Sequence, residues 1–175
     1  MRRSKTVQLS TQNRHWLLKA GLSAALLLAQ GSALAVWTAE IAPDPVSRQQ
    51  RCLLLSEPQV TPDGYDSTPV RLVIDGASLW VVTESELDTS FADLRLQVDA
   101  EPMLRSDRLA GHQMILVFDQ DIPALIQRFR TGRQVTVYLR FWPTWPATEL
   151  FPVRFSLGGF SRAHDSMSRG CLPAR

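Results

Sequence analysis

The chain has 175 residues, 45% of them hydrophobic and 21% charged, with a formal net charge of +2 and a pI near 8.8. These proportions exclude a disordered chain and a coiled coil, and the length allows one domain with a sizeable core. The basic excess belongs to residues 1–35, which hold five of the nineteen Lys and Arg residues and no acid. Residues 36–175 therefore hold fourteen arginines, no lysine and seventeen acids, a net charge of −3. We expect no nucleic-acid partner for a domain of this charge.

Residues 1–35 have the form of a secretory signal peptide. A basic start is followed by the apolar run Ala20–Leu28 and by Ala33-Leu34-Ala35, with small residues at the −3 and −1 positions of a cleavage site. Cleavage would leave one domain, residues 36–175, sent by the Sec route to the periplasm or the exterior of a bacterium. The alternative, an uncleaved anchor over residues 20–37, is interrupted by Gln30 and Gly31. We expect no stable membrane span once the signal is removed.

Two cysteines, Cys52 and Cys171, stand near the two ends of the predicted domain. In an exported protein, an even and widely spaced pair predicts one disulfide bond. A reactive thiol is the alternative, but the chain has no C-x-x-C pattern.

The first half of the domain shows strand signals separated by turn residues. Residues 36–50 have Pro43 and Pro45 and no clear period, which indicates an extended lead-in segment, and residues 58–69 read as a loop. Between two apolar runs, Asp75-Gly76 is typical of a two-residue type I′ hairpin turn. The predicted strands here span residues 52–55, 70–74, 77–83, 94–98 and 112–118.

The second half contains the one clear helical pattern. Ile122, Leu125, Ile126 and Phe129 share a face, which predicts a helix over about 121–131 with Asp121 as N-cap and Gly132 at its end. Alternating residues predict strands over 135–141 and 153–157, and residues 160–168 suit a short final helix or turn. Without strand–helix–strand alternation, the pattern indicates a mainly β fold: a small antiparallel β-sandwich or barrel with one short helix and one disulfide.

The two histidines that follow the predicted signal peptide give little support for a metal site or for catalysis. His112 and His164 have no Cys, Asp or Glu at metal-ligand spacing, so we expect no metal and no cofactor. His164-Asp165-Ser166 contains the residue types of a hydrolase triad, but neighbours on one segment point in different directions and no G-x-S-x-G turn occurs. We assign no catalytic residue. A small periplasmic hydrolase with His112 or His164 as its base remains the alternative.

Two features suit binding. The segment Phe141–Pro146 holds Trp142 and Trp145 on a proline-stiffened turn, which suits recognition; equally, both indoles could cap the open end of the sandwich. Arg71, Arg95, Arg140 and Arg154 occupy polar positions of separate strands and could converge on one face for an anionic ligand, although ordinary surface ion pairs are the favoured explanation. The candidate binding residues are Trp142, Trp145, Tyr138, Arg140 and Arg154.

The C-terminal half resembles the invasion-associated locus B family. The resemblance rests on the helix ending in Arg130-Thr131-Gly132, the strand Val135–Phe141 and the run Ser156–Ala163 (SLGGFSRA), and it covers mainly residues 115–171. The chain departs from that family in lacking its additional mid-chain cysteines and in having the proline-rich aromatic turn. The resemblance implies a small exported bacterial protein with a β-sandwich-like fold and no catalytic residues to carry over.

These observations predict an exported, non-enzymatic protein that binds an envelope protein or a surface ligand, or assists at the bacterial envelope. A structural subunit of a secretion or conjugation apparatus is a further alternative.

Overall fold

The computed structural model describes residues 36–143 and 149–171, so the predicted signal peptide and Trp145 lie outside the described residues. Within these ranges the chain forms two antiparallel sheets and two helices. The seven-stranded sheet consists of β1 (Trp37–Pro43), β2 (Gln50–Ser56), β3 (Gln59–Pro62), β4 (Ser67–Ile74), β5 (Leu79–Thr83), β8 (Leu109–Ala110) and β9 (Ile115–Phe118). The four-stranded sheet consists of β6 (Arg95–Val98), β7 (Leu104–Arg105), β10 (Gln134–Leu139) and β11 (Phe151–Ser156). The helices are α1 (Ile122–Thr131) and α2 (Phe160–Ser168).

The strand order is β1-β2-β4-β5-β9-β8 in the larger sheet, with β3 also paired to β4, and β11-β10-β6-β7 in the smaller one. Side chains from both sheets meet in one core together with the buried face of α1. That core includes Leu54, Leu72, Val81 and Leu116 from the larger sheet and Leu96, Val137 and Phe155 from the smaller one. The predicted mainly β fold is therefore confirmed, and α2 makes a second helix where the sequence suggested a helix or a turn.

The two sheets differ in how many of their faces are buried. In the seven-stranded sheet a second apolar cluster lies on the face opposite the main core, formed by Leu53, Leu55, Val73, Trp80, Ile115 and Val117. Continuous apolar runs such as Ile115–Phe118 reflect this, because neighbouring residues of a strand point to opposite faces. In β10 and β11 every second residue is instead half-buried or exposed. The four-stranded sheet thus keeps one face polar.

The predicted disulfide joins β2 to the end of the described chain. Cys52 and Cys171 are bonded, with 5.6 Å between their Cα atoms and 119 residues between them in sequence. The bond fixes the segment after α2 against the larger sheet, and the prediction of one disulfide is confirmed.

The first part of the predicted extended lead-in segment, residues 36–50, is strand β1. It pairs with β2 along its whole length, from Trp37 opposite Ser56 to Pro43 opposite Gln50. Pro43 fits because it stands at the end of an edge strand, where a missing N–H costs little. Trp37 is 3% exposed, and its indole N–H donates to the carbonyl of Ser156 in the other sheet at 2.8 Å.

Several boundaries differ from the predictions. The residues 58–69, predicted as a loop, contain β3 and the start of β4. The hairpin is present, but the predicted two-residue turn is wrong. Because Ile74 pairs with Leu79, the loop consists of residues 75–78. The Asp75 carboxylate accepts hydrogen bonds from the N–H groups of Ala77 and Ser78 in this loop. The strand predicted over 112–118 starts at Ile115, because His112 and Gln113 have left-handed backbone, with φ of 55° and 66°.

The predicted helix is confirmed and Gly132 is its C-cap as expected, but the capping at its N-terminus is not as expected. Asp121 precedes α1 with φ 47° and its side chain makes no capping hydrogen bond. At the other end the Gly132 N–H donates to the Arg128 carbonyl. Neither α1 nor α2 has the length and apolar content that a membrane crossing requires.

Candidate functional site: the outer face of the four-stranded sheet

In each strand of the four-stranded sheet, every second side chain points away from the core. We call the side of the sheet that these side chains form the outer face. Register places Pro152, Tyr138, Arg95 and Arg105 side by side across β11, β10, β6 and β7. In the next row Arg154, Thr136 and Gln97 are neighbours. Because directly opposite residues in an antiparallel pair have Cβ atoms about 5 Å apart, these side chains form one continuous surface.

Tyr138, a candidate binding residue, holds another side chain in place. The guanidinium of Arg95 lies over its ring, 4.7 Å from the centroid, which is a cation–π contact. Its hydroxyl lies 3.4 Å from Oε1 of Gln97. The half-buried Tyr138 thereby fixes the position of Arg95 on the outer face.

Arg140 is a buried ion-pair residue at the end of β10. It is 6% exposed, and its Nε and Nη2 donate to the carboxylate of Asp93. The ring of Phe91 lies 4.4 Å from the Arg140 guanidinium. Asp93 neutralises the charge of Arg140. The Arg140 side chain therefore contributes to the surface mainly by packing against Phe91, which is 55% exposed.

Trp142 extends the outer face beyond β10. Leu87 and Phe141 form an antiparallel bridge, the N–H of Trp142 donates to the Glu86 carbonyl at 2.8 Å, and the N–H of Asp88 donates to the Arg140 carbonyl at 2.9 Å. The buried Phe141 points inward, so Trp142 points outward beside Glu86. Trp142 is 59% exposed, so its indole is not buried as a cap would require.

The four arginines that could have converged on one face are divided between the two sheets. Arg95 and Arg154 lie on the outer face and Arg140 lies at its end, whereas Arg71 pairs with Val82 in the seven-stranded sheet. Arg105 and Phe91, which complete the surface, were not predicted as site residues. Arg105 belongs to a two-residue strand within a segment without a clear period, and Phe91 lies in a Ser/Thr-rich segment, so neither carried a usable signal.

The two histidines lie outside this surface pattern. His164 on α2 stacks on Phe160, and its Nδ1 is 3.1 Å from Nη1 of Arg130 on α1. A guanidinium only donates, so Nδ1 is the acceptor and the ring is neutral. Burial and then the charge of Arg130 lower the pKa of His164, with Asp165 opposing them. His112 occupies an exposed left-handed turn between β8 and β9.

Metal ligands do not cluster in the part of the chain that the structure describes. Residues 36–143 and 149–171 contain no group of three or more His, Cys, Asp and Glu side chains placed to hold an ion.

Comparison with known proteins yields a similarity of fold. No family model matches the chain. No curated protein matches it. The crystal structure of invasion associated protein B from Bartonella henselae is similar, with 16% sequence identity and a TM-score of 0.48, over 77% of this chain and 93% of that one. The name of that protein agrees with the family that the C-terminal motifs resemble.

Proposed function

We infer that the chain is an exported bacterial envelope protein that acts by binding, and that the outer face of the four-stranded sheet, with Trp142 at its end, is its recognition surface. The observation that carries this proposal is that the exposed Trp142 follows closely after β10, whose outward row lies beside that of β11 and includes Tyr138, with Arg154 on β11. Trp145, the remaining tryptophan of the turn, lies outside the described residues.

Export is supported by the bond between Cys52 and Cys171. Disulfide bonds form and persist in the periplasm and outside the cell, whereas the cytosol keeps thiols reduced. The basic, apolar and small-residue order of residues 1–35 is independent support from the sequence.

Recognition through Trp142 is supported by exposure combined with a fixed backbone. Its N–H is bonded to Glu86, so the indole is presented from a paired segment, which lowers the entropy lost on binding. Exposed tryptophans in such positions are frequent binding hot spots.

The proposal is tested by co-sedimentation of the purified domain with washed envelopes of the native host. We expect Trp142→Ala to reduce the bound fraction about tenfold or more, as loss of a hot-spot aromatic does. A Trp142→Ala/Trp145→Ala double variant extends the test to the second tryptophan.

Ile41→Ala is the matched control, because Ile41 is 66% exposed but lies on β1 at the edge of the other sheet. It should bind like the wild type, and both single variants should unfold within about 0.5 kcal/mol of it. Equal binding by the wild type and Trp142→Ala would rule out this recognition surface.

A further inference from the structure

The outer face carries positive charge in a domain that is acidic as a whole. Its outward side chains include three arginines and no carboxylate: Arg95, Gln97, Arg105, Gln134, Thr136, Tyr138, Pro152, Arg154 and Ser156. Residues 36–175 nevertheless hold seventeen acids against fourteen arginines. The acids are therefore absent from the strand positions of this face and lie at its ends, Glu86 beside Trp142 and Asp99 after β6, so the net charge of the chain conceals a local cationic field across the strands.

The three arginines lack anionic partners inside the protein. Neither Arg95, Arg105 nor Arg154 forms an ion pair with any part of residues 36–143 or 149–171. Of the carboxylates at the ends of β6, Asp93 is paired with Arg140, and Asp99 accepts hydrogen bonds from the N–H groups of Arg133 and Gln134. An external anion would therefore meet unneutralised guanidinium groups.

Two of these arginines are also arranged at a cost to stability. Arg95 and Arg105 are directly opposite each other in the β6–β7 pair, and like charges in that position are destabilising. In addition, Nε of Arg95 is buried and has no hydrogen-bond partner in the described part of the chain. An anion bound by the other guanidinium nitrogens would relieve the repulsion between Arg95 and Arg105.

We propose that the outer face binds an acidic polysaccharide, with its carboxylate groups paired to Arg95, Arg105 and Arg154 and a sugar ring on the exposed indole of Trp142. This inference rests on the proposed function and specifies its ligand. Guanidinium groups suit carboxylates because their fork of N–H donors matches the two oxygens of the anion.

The neutral groups of the face favour a sugar chain over an acidic peptide. Thr136 lies between Arg154 and Gln97, and its hydroxyl, which accepts from the Gln134 amide, can still donate to a hydroxyl of a sugar. Trp142 and Phe91 are both more than half exposed, and the flat face of a sugar ring packs on aromatic rings of this kind. A peptide strand more often adds to the edge of a sheet, through backbone hydrogen bonds, than lies across its face.

The test measures binding of the purified domain to polygalacturonate, with neutral dextran as the uncharged comparison, by titration calorimetry at low salt. We expect Arg105→Gln/Arg154→Gln to weaken binding about tenfold; both side chains are exposed, so the fold should survive. Arg48→Gln/Arg71→Gln removes the same charge from exposed positions of the other sheet and its connections, and should bind like the wild type. Binding should also weaken as salt is raised.

Different results identify which proposal fails. If the domain sediments with envelopes but does not bind polygalacturonate, the ligand class is wrong while the proposed function stands. Equal loss of affinity in both double variants would show attraction by net charge and overturn the site. Tighter binding of poly-glutamate, with the same dependence on Arg105 and Arg154, would assign the surface to an acidic protein instead.

Discussion

Arg140 and Arg154 show how far neighbours decide what a residue does. Both follow inward-facing residues in alternating strand sequences, and both were candidate binding residues. Arg140 is buried against Asp93, which lies 47 residues earlier in the chain, whereas Arg154 remains exposed without an ion pair. The alternation predicts which way each side chain points. It cannot predict the partner, because Asp93 reaches Arg140 only once β6 and β10 have paired.

Gly132 is required by close packing where α1 ends. A Cβ at this position would lie 2.7 Å from Cγ1 of Val98 and 2.8 Å from the carbonyl oxygen of Arg128. We expect Gly132→Ala to reduce the free energy of unfolding by about 1–3 kcal/mol, since neither the strand nor the helix can move away freely. Urea denaturation followed by circular dichroism measures the change.

Gly158→Ala is the control for that substitution. A Cβ there would meet only the Ser156 hydroxyl, at 3.3 Å, and this group can rotate. Its unfolding free energy should stay within about 0.5 kcal/mol of the wild type. Equal stability of the two variants would contradict the packing argument.

At the scale of elements, regular periodicity was a reliable guide and short edge strands were not. The face of α1 and the alternation of β10 and β11 were predicted because each element buries one side against the same core. The strands β3, β7 and β8 have only two to four residues, and no repeating pattern can be recognised over that length. β1 was missed because its prolines and mixed sequence suit an edge, where pairing on one side is enough.

The contact between α1 and α2 should make stability depend on pH through His164. Its pKa is lowered in the folded protein by burial and by Arg130, so the unfolded chain binds more protons below about pH 6.5. The free energy of unfolding should therefore fall as the pH drops below that value. Thermal unfolding measured between about pH 7.5 and pH 5, where the carboxylates stay ionised, records the loss.

His164→Gln should flatten this dependence, because glutamine can still accept a hydrogen bond from Arg130 but does not titrate. His112→Asn is the matched control, since His112 lies in an exposed left-handed turn that asparagine tolerates. A profile of His164→Gln that parallels the wild type would show that the imidazole is not responsible.

At the scale of the whole molecule, residues near the two ends of the domain hold the sheets together. Trp37 in β1 packs edge-on against Phe129 of α1 and Phe160 of α2 and donates to Ser156 of β11. The disulfide likewise joins an early residue of the domain, Cys52 in β2, to a late one, Cys171, which follows α2. Both links join residues 119 positions apart, and the disulfide, being covalent, also restricts the unfolded chain.

We expect the protein isolated from its native host to have the mass of residues 36–175 with one disulfide, and to gain the mass of two hydrogens on reduction. Cys52→Ala/Cys171→Ala should lose about 2–5 kcal/mol of unfolding free energy. Mass spectrometry with and without reductant and chemical denaturation provide the two measurements. An intact Met1 or two free thiols in the native protein would refute the proposed export.

The sequence by itself determined the mainly β class, the principal helix, the pair of cysteines that bond and the outward positions of β10 and β11. These depend on local periodicity and composition, which a linear chain displays directly. Only the tertiary structure decided that Arg71 lies in the other sheet and that Arg105 and Phe91 belong to the outer face and its end. It also decided that Asp93 neutralises Arg140. The reason is that sheet order and register bring together residues tens of positions apart, and the period of a strand contains no information about its neighbours.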